Sequence, residues 1–268
     1  MARTTTASVE LDGAARTATH DLILSLADSK RLLGMRYAEW ILGAPELEAG
    51  IACASMAQDE WGHARLLYAL LKEFDVDVDR VEHGREADEY CNMVALDEAP
   101  DDWAGLIAIN VLCDGALTVQ LEALRASSYV PLRQRVGKLL EEESFHAAHG
   151  AAWWRRFASA SDASRTALHD AVQARAGDVL AWFGPDGPGA RTLIGASVAD
   201  GAGSTLRERF VEKIAPLLAS AGLGDVFTNI EPSFESFEEA RRRPHGRAPD
   251  RATIQRIRGD RNREFLMD

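Results

Sequence analysis

Apolar positions recur along this chain with the period of a helix. Cys53, Ala57, Glu60, Ala64, Leu67 and Leu71 step by four and three, as do Leu132, Val136, Leu139, Glu143, His146 and Gly150. Such spacing gathers side chains into one stripe of a helix with 3.6 residues per turn. Ile107, Val111, Asp114, Thr118 and Leu121 form a third stripe, and Ile23, Leu26, Lys30, Leu33 and Tyr37 a fourth. The pattern predicts helices over 17–43, 46–74, 101–127, 131–160, 163–183 and 203–221, all rich in the good helix formers Ala, Leu, Glu and Arg. Gly43-Ala-Pro45 ends the first, because the residue before a proline avoids the α region. Tyr129-Val-Pro131 parts the third from the fourth, and Gly184 to Gly189 is a turn cluster. Residues 75–100 read as an acidic, irregular crossover. Residues 231–249 read as an exposed linker in which Arg241 to Arg243 form a solvated face or a partner contact. The expected class is all-α, with a bundle over 1–230 and a linker and tail over 231–268.

Each stripe carries at least one polar residue where an apolar one is expected. On two of them it belongs to a repeated unit, acid-acid-x-x-His: Asp59-Glu60-Trp-Gly-His63 and Glu142-Glu143-Ser-Phe-His146. Residues three apart lie one above the other on a helix, so a Glu and a His at that spacing can grip one metal ion together. Helical bundles that hold two metals use this unit from two helices and one carboxylate from each of two others. Asp114 suits the third helix. The preceding acids, Asp59 and Glu142, suit a supporting role, accepting a hydrogen bond from a ligand imidazole and fixing its tautomer. The alternative is two solvated helix-face pairs, but a bare carboxylate on a core-facing stripe is costly and calls for a cation. Thr118, one turn beyond Asp114, would either face bound dioxygen or bond to its own preceding turn.

The first helix departs from the pattern. Its inward polar residue is Lys30, and Asp28 and Glu39 sit about half a turn away from it. Lys30 could stay protonated and repel one metal while pairing with Glu60 or Glu143. It could lose its proton on burial and ligate. It could contact an oxygen-derived intermediate, or it could snorkel to solvent.

Composition narrows the partners. The 268 residues carry a net charge of −12, which argues against a nucleic acid or an anionic membrane as ligand. Cys53, Cys91 and Cys113 form no CxxC pair and no disulfide framework, which fits a reducing compartment. The first residues lack an apolar leader core, and no apolar run looks long enough to span a bilayer. The expected location is cytoplasmic.

At these motifs the sequence resembles the phenylacetyl-CoA epoxidase (phenylacetic acid catabolic) family, and more the catalytic diiron subunit than its structural partner. Ala44-Pro45, Gln58 to His63, Asp114-Gly-Ala116, Glu142 to His146, Phe183-Gly-Pro185 and Leu206 to Val211 carry the likeness. The resemblance implies a ferritin-like four-helix bundle with additional C-terminal helices. It implies metal ligands at Glu60, His63, Asp114, Glu143 and His146, with Lys30 at the place of a sixth, a glutamate. Two iron ions would bind there, with manganese or a single metal as alternatives. The implied activity is that of a monooxygenase of phenylacetate catabolism. It would use dioxygen and electrons from a separate reductase to epoxidise or hydroxylate an aromatic or unsaturated acyl-CoA. Lys30 and Thr118 would be the polar groups nearest the chemistry. A paralogous helical subunit or a second copy of the chain would complete the oligomer. Two rivals stand beside this reading: a non-catalytic scaffold subunit with a degenerate site, and a homo-oligomeric handler of metal or peroxide.

Overall fold

The computed structural model describes residues 11–260 and 262–265. It is an all-α, ferritin-like bundle. Helix α1 (Gly13–Ala38) starts on Asp12, whose carboxylate accepts the Ala15 amide at 2.8 Å and so satisfies one of the helix's unpaired donors. Helix α2 (Leu47–Leu70) returns along α1 in the most extended helix contact of the fold. The third bundle member is one run in three parts: α4 (Trp103–Ile109), a π-helical turn (Asn110–Asp114) and α5 (Gly115–Glu122). By length and hydropathy alone Trp103–Glu122 could cross a membrane, but 89% of that stretch is buried inside the bundle, which accounts for its apolarity. Helix α6 (Val130–Ala160) has Pro131 in its first turn, where a missing amide hydrogen does no harm.

Around this core, α7 (Asp162–Trp182) packs on α4, while α9 (Gly203–Ser220) lies across α5 and α6. The start of α9 meets the Phe183–Gly184 turn so closely that a Cβ on Gly203 would lie 2.0 Å from the Gly184 carbonyl oxygen; only glycine fits there.

Three expectations need correction. The turn cluster at 184–189 is half helix start, since Pro188 opens α8 (Pro188–Gly195). The crossover contains α3 (Val78–His83) and two 3₁₀ turns, and its Tyr90, Met93 and Leu96 are fully buried. Asp28 organises it, accepting from Arg85 and from the Cys91 amide at 2.8 Å. Residues 231–249 are not an exposed linker. Strands β1 (Phe237–Glu238) and β2 (Arg243–Pro244) pair there, and α10 (Arg251–Arg258) packs on α1. Arg243 is 0% exposed and pairs with Asp97 at 2.5 Å and Asn92 at 2.9 Å. Arg242 donates to the Trp182 and Phe183 carbonyls at the end of α7, and Arg241 to the Tyr90 carbonyl. The arginine run does not face solvent because carbonyl and carboxylate acceptors are waiting for it, and a hydrogen-bonded guanidinium can be buried.

Candidate metal centre

The bundle brings Lys30 (α1), Glu60 and His63 (α2), Asp114 (π turn), and Glu143 and His146 (α6) into one buried cluster, each no more than 3% exposed. Lys30 Nζ is its centre. It donates to Glu60 Oε1 at 2.9 Å, Asp114 Oδ1 at 3.0 Å and Glu143 Oε1 at 2.6 Å. An ammonium has three donors, and all three are taken. Snorkelling is therefore excluded. Burial pulls the Lys30 pKa down, but Asp114, Glu143 and Glu60 together more than reverse it, so the side chain is held as the ammonium.

The imidazoles flank this knot. His146 Nδ1 lies 3.0 Å from Asp114 Oδ2 and 3.2 Å from Glu60 Oε1. His63 Nδ1 lies 3.1 Å from Glu143 Oε1, out of line for a hydrogen bond. The supporting acids pair crosswise: Glu142 Oε2 meets His63 Nε2 at 2.7 Å, and Asp59 Oδ2 meets His146 Nε2 at 3.4 Å. Each motif thus steadies the histidine of the other. With carboxylates at both ring nitrogens, His146 is pushed up to about 11: desolvation opposes the charge, but Asp114 and Glu60 win. His63 shifts the same way against its desolvation, through Glu143 and Glu60. Glu143 is raised to about 7, first by burial and then by Asp114, while Lys30 pulls the other way.

Two partners escaped the sequence reading. The Tyr37 hydroxyl donates to Asp114 Oδ2 at 2.8 Å and itself accepts from Asn110 Nδ2 at 2.8 Å. Asn110 opens the π turn, a feature that recurs where a helix must re-aim side chains at a site. Gly150 on α6 makes room for it: a Cβ there would fall 1.6 Å from Asn110 Oδ1. The only advance signals were Tyr37 on its stripe and a glycine in mid-helix. Thr118 donates to Glu143 Oε2 at 3.4 Å rather than to its own helix. A cavity of about 450 Å³ reaches Asp114, Thr118 and Glu143, with Arg125, Arg155 and Lys213 on its wall.

The donor set fits one metal ion and not two. One donor atom each from Glu60, Asp114, Glu143 and His146 lie within 4.8 Å of one another, close enough to converge on an ion. Glu60 Oε2 and His63 Nδ1 are buried without hydrogen-bond partners, as ligand atoms lacking an ion would be. Yet three carboxylates less one ammonium leave two negative charges. One dication neutralises them; a second would bury two uncompensated positive charges. The fourth carboxylate that a two-metal bundle supplies is here the ammonium itself.

The architecture and the paired acid-acid-x-x-His units define a ferritin-like protein with a carboxylate–imidazole centre. Residues 2–226 match the phenylacetic acid catabolic protein family, and the chain belongs to that family. Two different subunits of the 1,2-phenylacetyl-CoA epoxidase of Escherichia coli (strain K12) are similar to it. With one the identity is 28% over 188 residues, a stretch covering 69% of this chain and 60% of the relative. With the other it is 26% over 151 residues, covering 56% of this chain and 61% of the relative. The chain therefore spans under two thirds of either relative.

Proposed function

We propose that this chain is a subunit of a multi-subunit oxygenase acting on an acyl-CoA, and that it supports an oxygen-activating paralogue rather than running a two-metal reaction itself. The observation behind this is Lys30, whose ammonium occupies the middle of the carboxylates that would hold a metal pair. Its charge makes the cluster neutral once both imidazoles are protonated, so the core is stable as a salt-bridge knot. Dioxygen, the separate reductase and the two iron ions then belong to the paralogue, and Lys30 and Thr118 act here by holding carboxylates in place.

The test is iron content after anaerobic Fe(II) loading and desalting. Wild type is expected to keep at most one iron per chain, and Lys30→Glu two. Two irons in wild type, with a new absorbance on exposure to oxygen, would overturn the proposal and restore the diiron reading. One observation favours a second reading, a single-metal oxygenase: a scaffold has no use for a 450 Å³ cavity ending on Asp114, Thr118 and Glu143. Acyl-CoA-dependent oxygen uptake by singly loaded wild type, without the paralogue, decides for it.

A further inference from the structure

A second concave site lies away from the centre. Arg31 and Trp61 follow Lys30 and Glu60 in sequence and so point about 100° round their helices from them. With α3 and α10 they line a groove of about 650 Å³. Trp61 is fixed in an unusual way. A Cβ on Gly34 would lie 2.7 Å from the indole Nε1 and 2.8 Å from Cδ1, so the ring rests against bare α1 backbone. Its Nε1 donates to the Arg31 carbonyl at 3.3 Å, yet the residue stays 44% exposed. A large aromatic that is held rigid and left half open is a ready stacking plate.

The charges around it have the wrong sign for this acidic chain. Arg31 is 9% exposed, and its guanidinium donates to the Glu82 and Ile257 carbonyls, which carry no net charge. Arg65, one turn beyond Trp61, is exposed and has no salt bridge among the described residues. Arg256 reaches Glu39 at 3.3 Å, but both oxygens of Glu39 already accept from Arg36 at 3.0 Å. Three arginines thus line a groove whose own acid is Glu82.

We propose that this groove binds an adenosine phosphate group, the purine ring on Trp61 and the phosphates between Arg65 and Arg256. Arginine suits phosphate through its paired donors, and a base stacks on any exposed indole face. The inference does not depend on how the metal centre is read, since none of the six candidate cluster residues lines the groove.

Isothermal titration of the full chain tests it, with ADP, adenosine, inorganic pyrophosphate and coenzyme A as probes. ADP is expected to bind, with adenosine and pyrophosphate each about tenfold weaker or worse, because each keeps half of the recognition. Trp61→Leu and Arg65→Ala should each weaken ADP about tenfold, with iron loading unchanged in both and melting temperature unchanged in Arg65→Ala. No binding of ADP, or binding that survives both substitutions, overturns the proposal. Tighter binding of coenzyme A than of ADP identifies CoA thioesters as the source of the group; the reverse order identifies a free nucleotide.

Discussion

Replacing Lys30 by methionine keeps the length of the side chain and removes its charge. Three buried carboxylates then lose the ammonium that faces all of them, so the cluster becomes one unit more negative with no solvent to share the charge. Removing one partner of a buried ionic cluster costs about 3–5 kcal/mol. For a chain of this size that lowers the melting temperature by roughly 6–20 °C, at about 2–4 °C per kcal/mol. The penalty should shrink as pH falls from the alkaline side, because Glu143, already raised to about 7 beside Lys30 and pushed further up without it, takes up a proton and removes the excess charge. It should also shrink with added Mn(II), which a lysine-free pocket binds and which stabilises by about 2.7 kcal/mol at a hundred times its Kd. The assay is thermal unfolding in chelator at pH 9 and pH 5.5, then with excess Mn(II). A Lys30→Met protein that melts within about 2 °C of wild type in chelator at pH 9 would refute the reasoning, because Lys30 would then not be neutralising the carboxylates.

Metal binding to wild type should release about one proton or more at pH 7.5, since His146, pushed up to about 11, is held protonated in the metal-free cluster. Titration calorimetry in buffers of different ionisation enthalpy reads that number, and a value near zero contradicts the charge assignment. For the metal-free protein the sign is fixed by His146, whose folded pKa of about 11 lies above its unfolded value. Its stabilisation is complete below about pH 6.5 and is lost progressively as pH rises towards 11; a melting temperature that climbs from pH 7 to 9.5 in chelator speaks against it. Gly150→Ala drives a methyl into Asn110 Oδ1. Overpacking of this kind costs about 1–3 kcal/mol, and adding Asn110→Ala should recover part of it, whereas strictly additive losses would mean the two do not touch.

The sequence exposed the cluster because a polar residue on an apolar stripe stands out against helical period. Lys30, Glu60, Asp114, Glu143 and His146 were all visible that way. What period cannot reveal is which partner a side chain meets. Asp59 and Glu142 were read as supports for a histidine, but the crosswise pairing depends on how α2 and α6 pass each other. Asp28 looked like the solvent side of α1, half a turn from Lys30. It is 0% exposed because every residue from Ser25 to Tyr37 is buried, the crossover having wrapped the outer face. Its partner Arg85 is 57 residues away, beyond any local signal. Arg241 to Arg243 failed for the same reason: burial of a charged run is decided by remote acceptors, here Asn92, Asp97 and the end of α7.

Five ligand-type residues beside a lysine could be taken as the residue of catalysis, but electrostatics alone accounts for their presence. Exchanging one carboxylate for an ammonium shifts the centre by two charges, the charge of one metal ion. A bundle built around four carboxylates and two dications therefore tolerates the exchange if one dication leaves, and tolerates loss of the other if two imidazoles protonate. After that, each remaining acid is needed to balance a buried base, whatever its former task. Paired losses should consequently be milder than their sum. Lys30→Met and Glu143→Gln each leave the cluster one charge out of balance, and the double variant restores it. Contacting charged residues show coupling of about 0.5–3 kcal/mol in such cycles, and the upper half of that range is expected for a pair 2.6 Å apart with no solvent between. Chemical denaturation of the four proteins in chelator measures it. Additive losses, within the error of the fits, would mean that the acids are kept for something other than balancing Lys30, and metal binding would again be the simplest account of them.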